Sequence, residues 1–190
     1  MLERLLQWDR DLFVQLNNLG VERYDGFWTL VTHIATWIPL YLLFFWLLFL
    51  KFPRKEALYR TITVLCLVVF VLCITHWTKI YVERLRPNNT EEINTLIRIL
   101  KSPTGYSFFS GHASFSFSVT VLMLLFLRKV FKWAPLFLIW PLLFASSRIF
   151  VGVHFPLDIL VGALVGILSG HLFYRLYQRF IAPYSGSGHP

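Results

Sequence analysis

The stretch "LYRTITVLCLVVFVLCITHWTKI", residues 58–80, is 23 residues long and carries Arg60 and Lys79 as its only full charges. Hydrocarbon about 30 Å thick is crossed by roughly 20 apolar residues of helix, so this run predicts a transmembrane span. Four more runs extend the pattern outward: 27–50, 112–127, 135–150 and 159–180. The third and fourth spans in chain order are short, which suits helices partly sunk between neighbours. Of the 190 residues 56% are hydrophobic and 18% aromatic, and the mean hydropathy is +0.60, outside the range of soluble globular domains. The expected fold is an all-α membrane protein, a bundle of about five transmembrane helices preceded by an N-terminal amphipathic interfacial helix.

That first helix comes from residues 1–22. Leu, Trp, Phe and Val recur at helical spacing, with Glu3, Arg4, Asp9, Arg10 and Asp11 assigned to the opposite side. The stretch lacks the order and cleavage site of a signal peptide and is expected to be retained. Residues 1–184 form one integral-membrane domain, including an extracytoplasmic connection at 88–107, and 185–190 are expected to be a flexible tail. The connection reads either as a short amphipathic helix over a site or as an ordinary loop. Cys66 and Cys73 are too few for a disulfide framework or zinc site and are expected to be packing residues.

Lys and Arg divide equally between the two membrane faces, nine on each. One face concentrates its nine in very short loops and at the C-terminal end, with Glu56 as its only acid. The positive-inside bias makes that face cytoplasmic. The other face, with the N-terminal segment, 81–111 and the turn at 151–158, is then extracytoplasmic. Any site built from residues of that face would open to the outside. The basic residues flank spans and form no soluble basic face, so nucleic acid is not an expected partner.

Ionisable groups near hydrocarbon usually face a cavity or a partner. "KIYVERLRP", residues 79–87, places Lys79 and Arg86 two helical turns apart and so on one side of a helix. "SGHASFS", 110–116, begins a span with Ser110 as N-cap, and Ser110, Gly111 and His112 would aim free N–H groups outward. "SSRIFVGVHFPLDILVG", 146–162, adds Arg148, His154 and Asp158. Arg forks, a lysine and helix N-terminal amides suit a phosphoryl group, and two histidines suit its hydrolysis, one as nucleophile and one as acid. Asp158, one turn after His154, could orient its ring. No carboxylate cluster suits magnesium at this site.

Lys79 with Arg86-Pro87, "FSGH" at 109–112, and Arg148 with His154 and Asp158 together resemble the three-part pattern of the type-2 phosphatidic acid phosphatase superfamily. The resemblance implies phosphate binding by Lys79, Arg86, Ser110, Gly111 and Arg148. It implies His112 as general acid, His154 as the nucleophile that becomes phosphohistidine, and Asp158 as its partner. It also implies metal-independent catalysis without a cofactor, and a bacterial-type inner membrane, whose outer face then carries the active site. Phe109 stands where the family usually has Pro, which predicts a less rigid loop with every catalytic atom kept.

The expected reaction is hydrolysis of a lipid phosphate monoester or pyrophosphate: phosphatidic acid, phosphatidylglycerol phosphate or undecaprenyl pyrophosphate. The alternatives are a lipid phosphotransferase using the same histidines and a non-enzymatic anion transporter. Against the transporter, the spans carry almost no midplane charge. The expected partners are the lipid phosphate substrate and membrane lipid, with the oligomer unspecified. Arg84 reads as an interfacial anchor, and His33, His76 and His171 as structural histidines, with His76 one turn from Lys79 and placed to support it.

Overall fold

A computed structural model describes residues 1–185; the expected flexible tail falls almost wholly outside them. The described residues are helical, with no strand. The main helices are α1 (Leu2–Asn18), α2 (Asp25–Val31), α3 (Ile38–Lys51), α4 (Arg54–Val82), α5 (Gly111–Leu127), α6 (Ile139–Phe150) and α7 (Pro156–Leu176). Three stretches are long and apolar enough to cross a membrane: Ile34–Lys51, Arg54–Asn89 and Pro156–Tyr184. The shorter apolar stretches Gly111–Leu127 and Ala134–Phe150 complete the bundle.

α5 is the central helix and packs against α4, α6 and α7. Its seam with α7 is built from small residues. Gly162, Gly166 and Gly170 of α7 face Ser110, Ser114 and Ser118 of α5, and a Cβ on each glycine would stand 2.6, 2.5 and 2.8 Å from those carbonyl oxygens. The two sets advance together at four-residue steps, so the helices run parallel at close backbone approach, as small residues permit. The serine hydroxyls turn back onto their own helix: Ser114 donates to Gly111 O, Ser116 to His112 O and Ser118 to Phe115 O. Deeper in the bundle, Phe44, Leu67, Val71, Leu122, Phe126 and Phe144 belong to one buried cluster. Outward faces such as Leu65, Val69, Leu164 and Leu168 remain apolar, as lipid contact requires.

Four expectations are corrected. The run 27–50 is two helices, because Thr36 Oγ1 and Trp37 Nε1 donate to Leu30 O and Val31 O and close α2. Pro39, which has no N–H to continue a ladder, then sits in the first turn of α3. α4 ends at Val82 with Glu83 left-handed at φ 51°, so Arg86 lies beyond the helix and does not share a helical side with Lys79. Pro87 disfavours helix at the residue before it, and Arg86 is extended at φ −80°, ψ 156°. Cys66 and Cys73 are exposed on α4 rather than packed inside. α1 does form, but Asp9 is on its buried stripe with Phe13 and Asn17, not on a solvated side.

The connection after α4 is one short 3-10 helix, Pro87–Asn89, followed by turns, with no α-helix over 88–107. Ile93 packs in a small cluster with Phe13 and Phe155. Asn17 receives Arg98 N at 2.7 Å and donates to Ile149 O at 2.8 Å, tying α1 and the connection to the end of α6. Gly152 adopts φ 82° there, where a Cβ would meet Arg98 O at 2.6 Å.

Candidate active site

The parallel packing of α5 and α7 brings two helix N-termini to one end of the bundle, and α4 and α6 end there as well. Ser110 caps α5, its hydroxyl receiving Ala113 N at 3.4 Å. The amide of Ser110 is already used, donating to Asp158 O at 2.9 Å. This corrects the expectation that Ser110 offers a free N–H. Gly111 and His112 begin the helix, ahead of any intrahelical carbonyl partner. The same Ser110–Asp158 bond anchors the loop at Phe109, whose ring is buried, so the Pro-to-Phe departure does not leave the loop unattached.

His154 lies in the turn between α6 and α7 and is 2% exposed. Its Nδ1 is 3.3 Å from Asp158 Oδ2, and its Nε2 is 3.1 Å from Arg86 Nη1. A guanidinium can only donate, so Nε2 accepts from Arg86 and Nδ1 carries the proton that Asp158 receives. The ring is thereby held with the Nε2 lone pair toward the cations. Pro156 starts α7 in its first turn, where a missing N–H costs nothing, and places Asp158 one turn in. Asp158 Oδ2 also receives Phe155 N at 3.1 Å. Burial first, then Arg148, Arg86, Lys79 and Arg84, push the His154 imidazole well below its ordinary value of 6.5.

The other cations converge on the same end. Lys79 Nζ donates to Tyr106 O and Ser107 O at 2.8 and 2.9 Å. Arg86 Nε donates to Gly105 O at 2.7 Å and its Nη1 to Val153 O at 3.1 Å. Loop carbonyls thus hold donors that an anion could take over. Arg148, buried at the end of α6, donates to Thr32 Oγ1, and its Nε has no partner among the described residues. His112 Nε2 is 3.3 Å from Thr32 O, and its ring lies 4.5 Å from that of Phe144.

A cavity of about 490 Å³ opens against Arg148 and His112 and is lined also by Thr32, His33, Lys101 and Ser102 among others. A second cavity, about 520 Å³, lies beside Phe155 and Arg84 and is lined mainly by Leu2, Leu6, Val82 and Leu85. The first holds the groups suited to a phosphoryl ester, a basic fork and an imidazole; the second is mostly apolar. Among the described residues no cluster of three His, Cys, Asp or Glu could hold a metal ion.

The structure therefore gathers Lys79, Arg86, Ser110, Gly111, His112, Arg148, His154 and Asp158 at one end. It adds groups that motif spacing misses. Thr32 sits at the break after α2, which the Thr-His step and the later Pro39 hint at in an otherwise apolar run. Lys101 reaches the cavity from the connection, where burial and then Arg148 lower its pKa. Arg84 is no lipid anchor: it pairs with Asp158 and with Asp9. His76 faces outward with its ring 5.9 Å from Trp77 and makes no hydrogen bond to Lys79, and His171 Nδ1 turns to Ile167 O.

A family model described as "PAP2 superfamily" matches residues 59–182. The lipid A 4'-phosphatase of Porphyromonas gingivalis is 31% identical over 195 residues, covering 100% of this chain and 81% of that protein. The undecaprenyl-diphosphatase BcrC of Bacillus subtilis is 37% identical over 145 residues, 76% of this chain and 69% of that one. Among solved structures, a transmembrane PAP2-type phosphatidylglycerolphosphate phosphatase from Bacillus subtilis superimposes with a TM-score of 0.75. It shares 20% identity, over 93% of this chain and 88% of that one.

Proposed function

The chain belongs to the PAP2 superfamily, and from that premise we propose that it dephosphorylates a membrane lipid by way of a phosphohistidine on His154. The observation that carries the mechanism is the locked ring of His154, with Nδ1–H on Asp158 and the Nε2 lone pair among cations. A phosphate entering from the cavity takes the donors of Arg86 and Lys79 from their present oxygen partners and meets the unpartnered Nε of Arg148, whose Nη1 stays on Thr32 Oγ1. The amides of Gly111 and His112 at the α5 N-terminus add preorganised donors to the oxygens that gain charge. Nε2 attacks phosphorus, and the bond from phosphorus to the lipid oxygen breaks. His112, as the imidazolium, gives the Nε2 proton that now points at Thr32 O to the departing oxygen and is left as the neutral ring. Water, giving its proton back to His112, then attacks phosphorus; the P–N bond breaks and inorganic phosphate leaves. No metal is required for these steps, since the fixed cations neutralise the phosphoryl oxygens.

The site lies at the end of the bundle that carries α1, whereas Lys55 Nζ meets Tyr184 O at the opposite end. With the basic short loops at that opposite end, the active site faces the extracytoplasmic side of a bacterial inner membrane. There a lipid presents its phosphate at the bilayer surface while its chains stay in hydrocarbon. Similarity to a lipid A 4'-phosphatase over the whole of this chain and 81% of that protein supports lipid A as the first reading, a class that the motif residues alone do not specify. Similarity to an undecaprenyl-diphosphatase supports a polyprenyl diphosphate as the second reading.

Phosphate release by the purified protein distinguishes them, with lipid A, undecaprenyl diphosphate, phosphatidylglycerol phosphate, phosphatidic acid and glucose 6-phosphate as substrates. The expected order has lipid A fastest and glucose 6-phosphate slowest. Glucose 6-phosphate turned over as fast as any lipid would overturn the assignment to lipid substrates.

A further inference from the structure

Asp9 belongs to α1, outside the residues that the family model matches, and is 0% exposed. A buried carboxylate is costly unless paired and hydrogen-bonded. Asp9 is both: Oδ1 receives Leu157 N at 2.8 Å, and Oδ2 receives Arg84 Nη2 at 2.6 Å. The other end of the same guanidinium, Nη1, donates to Asp158 Oδ1 at 2.7 Å, while Asp158 Oδ2 faces His154 Nδ1. Arg84 also lies over the Phe155 ring at 4.1 Å, which fixes its plane. The result is a continuous row of carboxylate, guanidinium, carboxylate and imidazole.

We propose that Asp9 is a positioning residue for His154, acting through Arg84 and Asp158, so that the N-terminal helix completes the active site. This rests on the reading of His154 as nucleophile. Arg84 alone would offset the charge of Asp158 and weaken it as acceptor for Nδ1–H. With Asp9 on the far side, Arg84 is shared between two acids, and the row keeps one net negative charge beside the imidazole. That charge matters because Arg86, Arg148 and Lys79 all oppose the positive charge that the ring gains when it binds phosphorus. The two-ended clamp also fixes which Asp158 oxygen meets His154, since the planar Arg fork serves both acids at once.

Asp9→Asn separates this role from simple docking of α1, because the Asn carbonyl oxygen still receives Leu157 N. It is expected to lower kcat on the best lipid substrate about 10–100-fold, the range for outer partners that orient a reacting ligand. KM should stay within about twofold and the thermal midpoint close to wild type. Arg84→Met should lose a comparable factor, and the double variant should be no slower than Arg84→Met, since one acts through the other. Asp9→Asn within about twofold of wild type in kcat, a change confined to KM, or losses that multiply would each overturn the proposal. Should Asp9→Asn fail to fold, Arg84→Lys keeps the charge and removes the fork, and the same kcat loss is expected of it.

A readout independent of turnover is the Nδ1–H proton resonance of His154 in detergent, assigned by its loss in His154→Ala. It should lie downfield in wild type and move upfield in Asp9→Asn; an unmoved resonance would contradict the coupling. Wild-type protein without phosphatase activity would overturn the nucleophile reading, while this resonance would still decide whether Asp9 acts on His154.

Discussion

Gly166→Ala tests whether the α5–α7 seam sets the geometry of the active site. A Cβ at Gly166 would stand 2.5 Å from Ser114 O, 3.0 Å from Phe117 Cβ and 3.0 Å from Ser118 N. None of these is the free end of a flexible side chain, so relief requires one helix to move against the other. A comfortable C···O approach is about 3.3 Å, which sets the displacement at about 0.8 Å. Overpacking of this kind costs about 1–3 kcal/mol. For a chain of this size that corresponds to a fall of about 2–12 °C in the thermal midpoint. α5 carries His112 and α7 carries Asp158, joined through Ser110 N and Asp158 O, so the shift passes into the site. Misplacement of about 1 Å can cost about 100-fold in rate, so kcat should fall at least tenfold. Thermal unfolding in detergent and steady-state phosphate release provide the two numbers. An unchanged midpoint with wild-type kcat would refute the close seam; a lower midpoint with wild-type kcat would refute its link to the site.

Thr32→Val removes the hydroxyl that receives Arg148 but leaves the carbonyl that faces His112. Loss of one bond to a charged group, about 1.5–3 kcal/mol, predicts roughly a 10–150-fold fall in kcat/KM, measured by steady-state kinetics on the best lipid substrate. The depressed basicity of His154, from burial and then Arg148 and Arg86, has a stability signature. Below pH 6.5 the unfolded chain binds a proton at this residue that the folded protein does not. Its contribution is therefore complete above pH 6.5 and is lost as pH falls from there toward the folded value. Thermal midpoints between about pH 7.5 and about pH 5 should fall more steeply in wild type than in His154→Gln, and equal slopes would contradict this reading.

Much of this architecture is legible because the relevant signals are local. Long apolar runs announce helices whatever their partners, and Lys79, Arg86, His112, Arg148, His154 and Asp158 keep spacings that survive without knowledge of the packing. The misread features depend on tertiary contacts. The break after Val31 is set by side chains of Thr36 and Trp37 closing on carbonyls, a choice that hydropathy does not register. Arg86 lies outside the helix, which ends at Val82 with Glu83 left-handed, and the path of the loop, with Gly105 and Val153 carbonyls as receivers, brings it back to His154. Asp9 reads as a solvated residue of an amphipathic helix, since its partners Arg84 and Leu157 are 75 and 148 positions away. Arg84 reads as an anchor for the same reason.

Covalent labelling tests most directly whether His154 carries the phosphoryl group. Wild type and His154→Ala, incubated in EDTA with a radiolabelled lipid phosphate and quenched in alkali, test it through the protein-bound label and the free phosphate. Wild type is expected to carry acid-labile label and to release phosphate under chelation, and the variant to do neither. Release by His154→Ala at the wild-type rate, or label retained on that variant, would contradict that role.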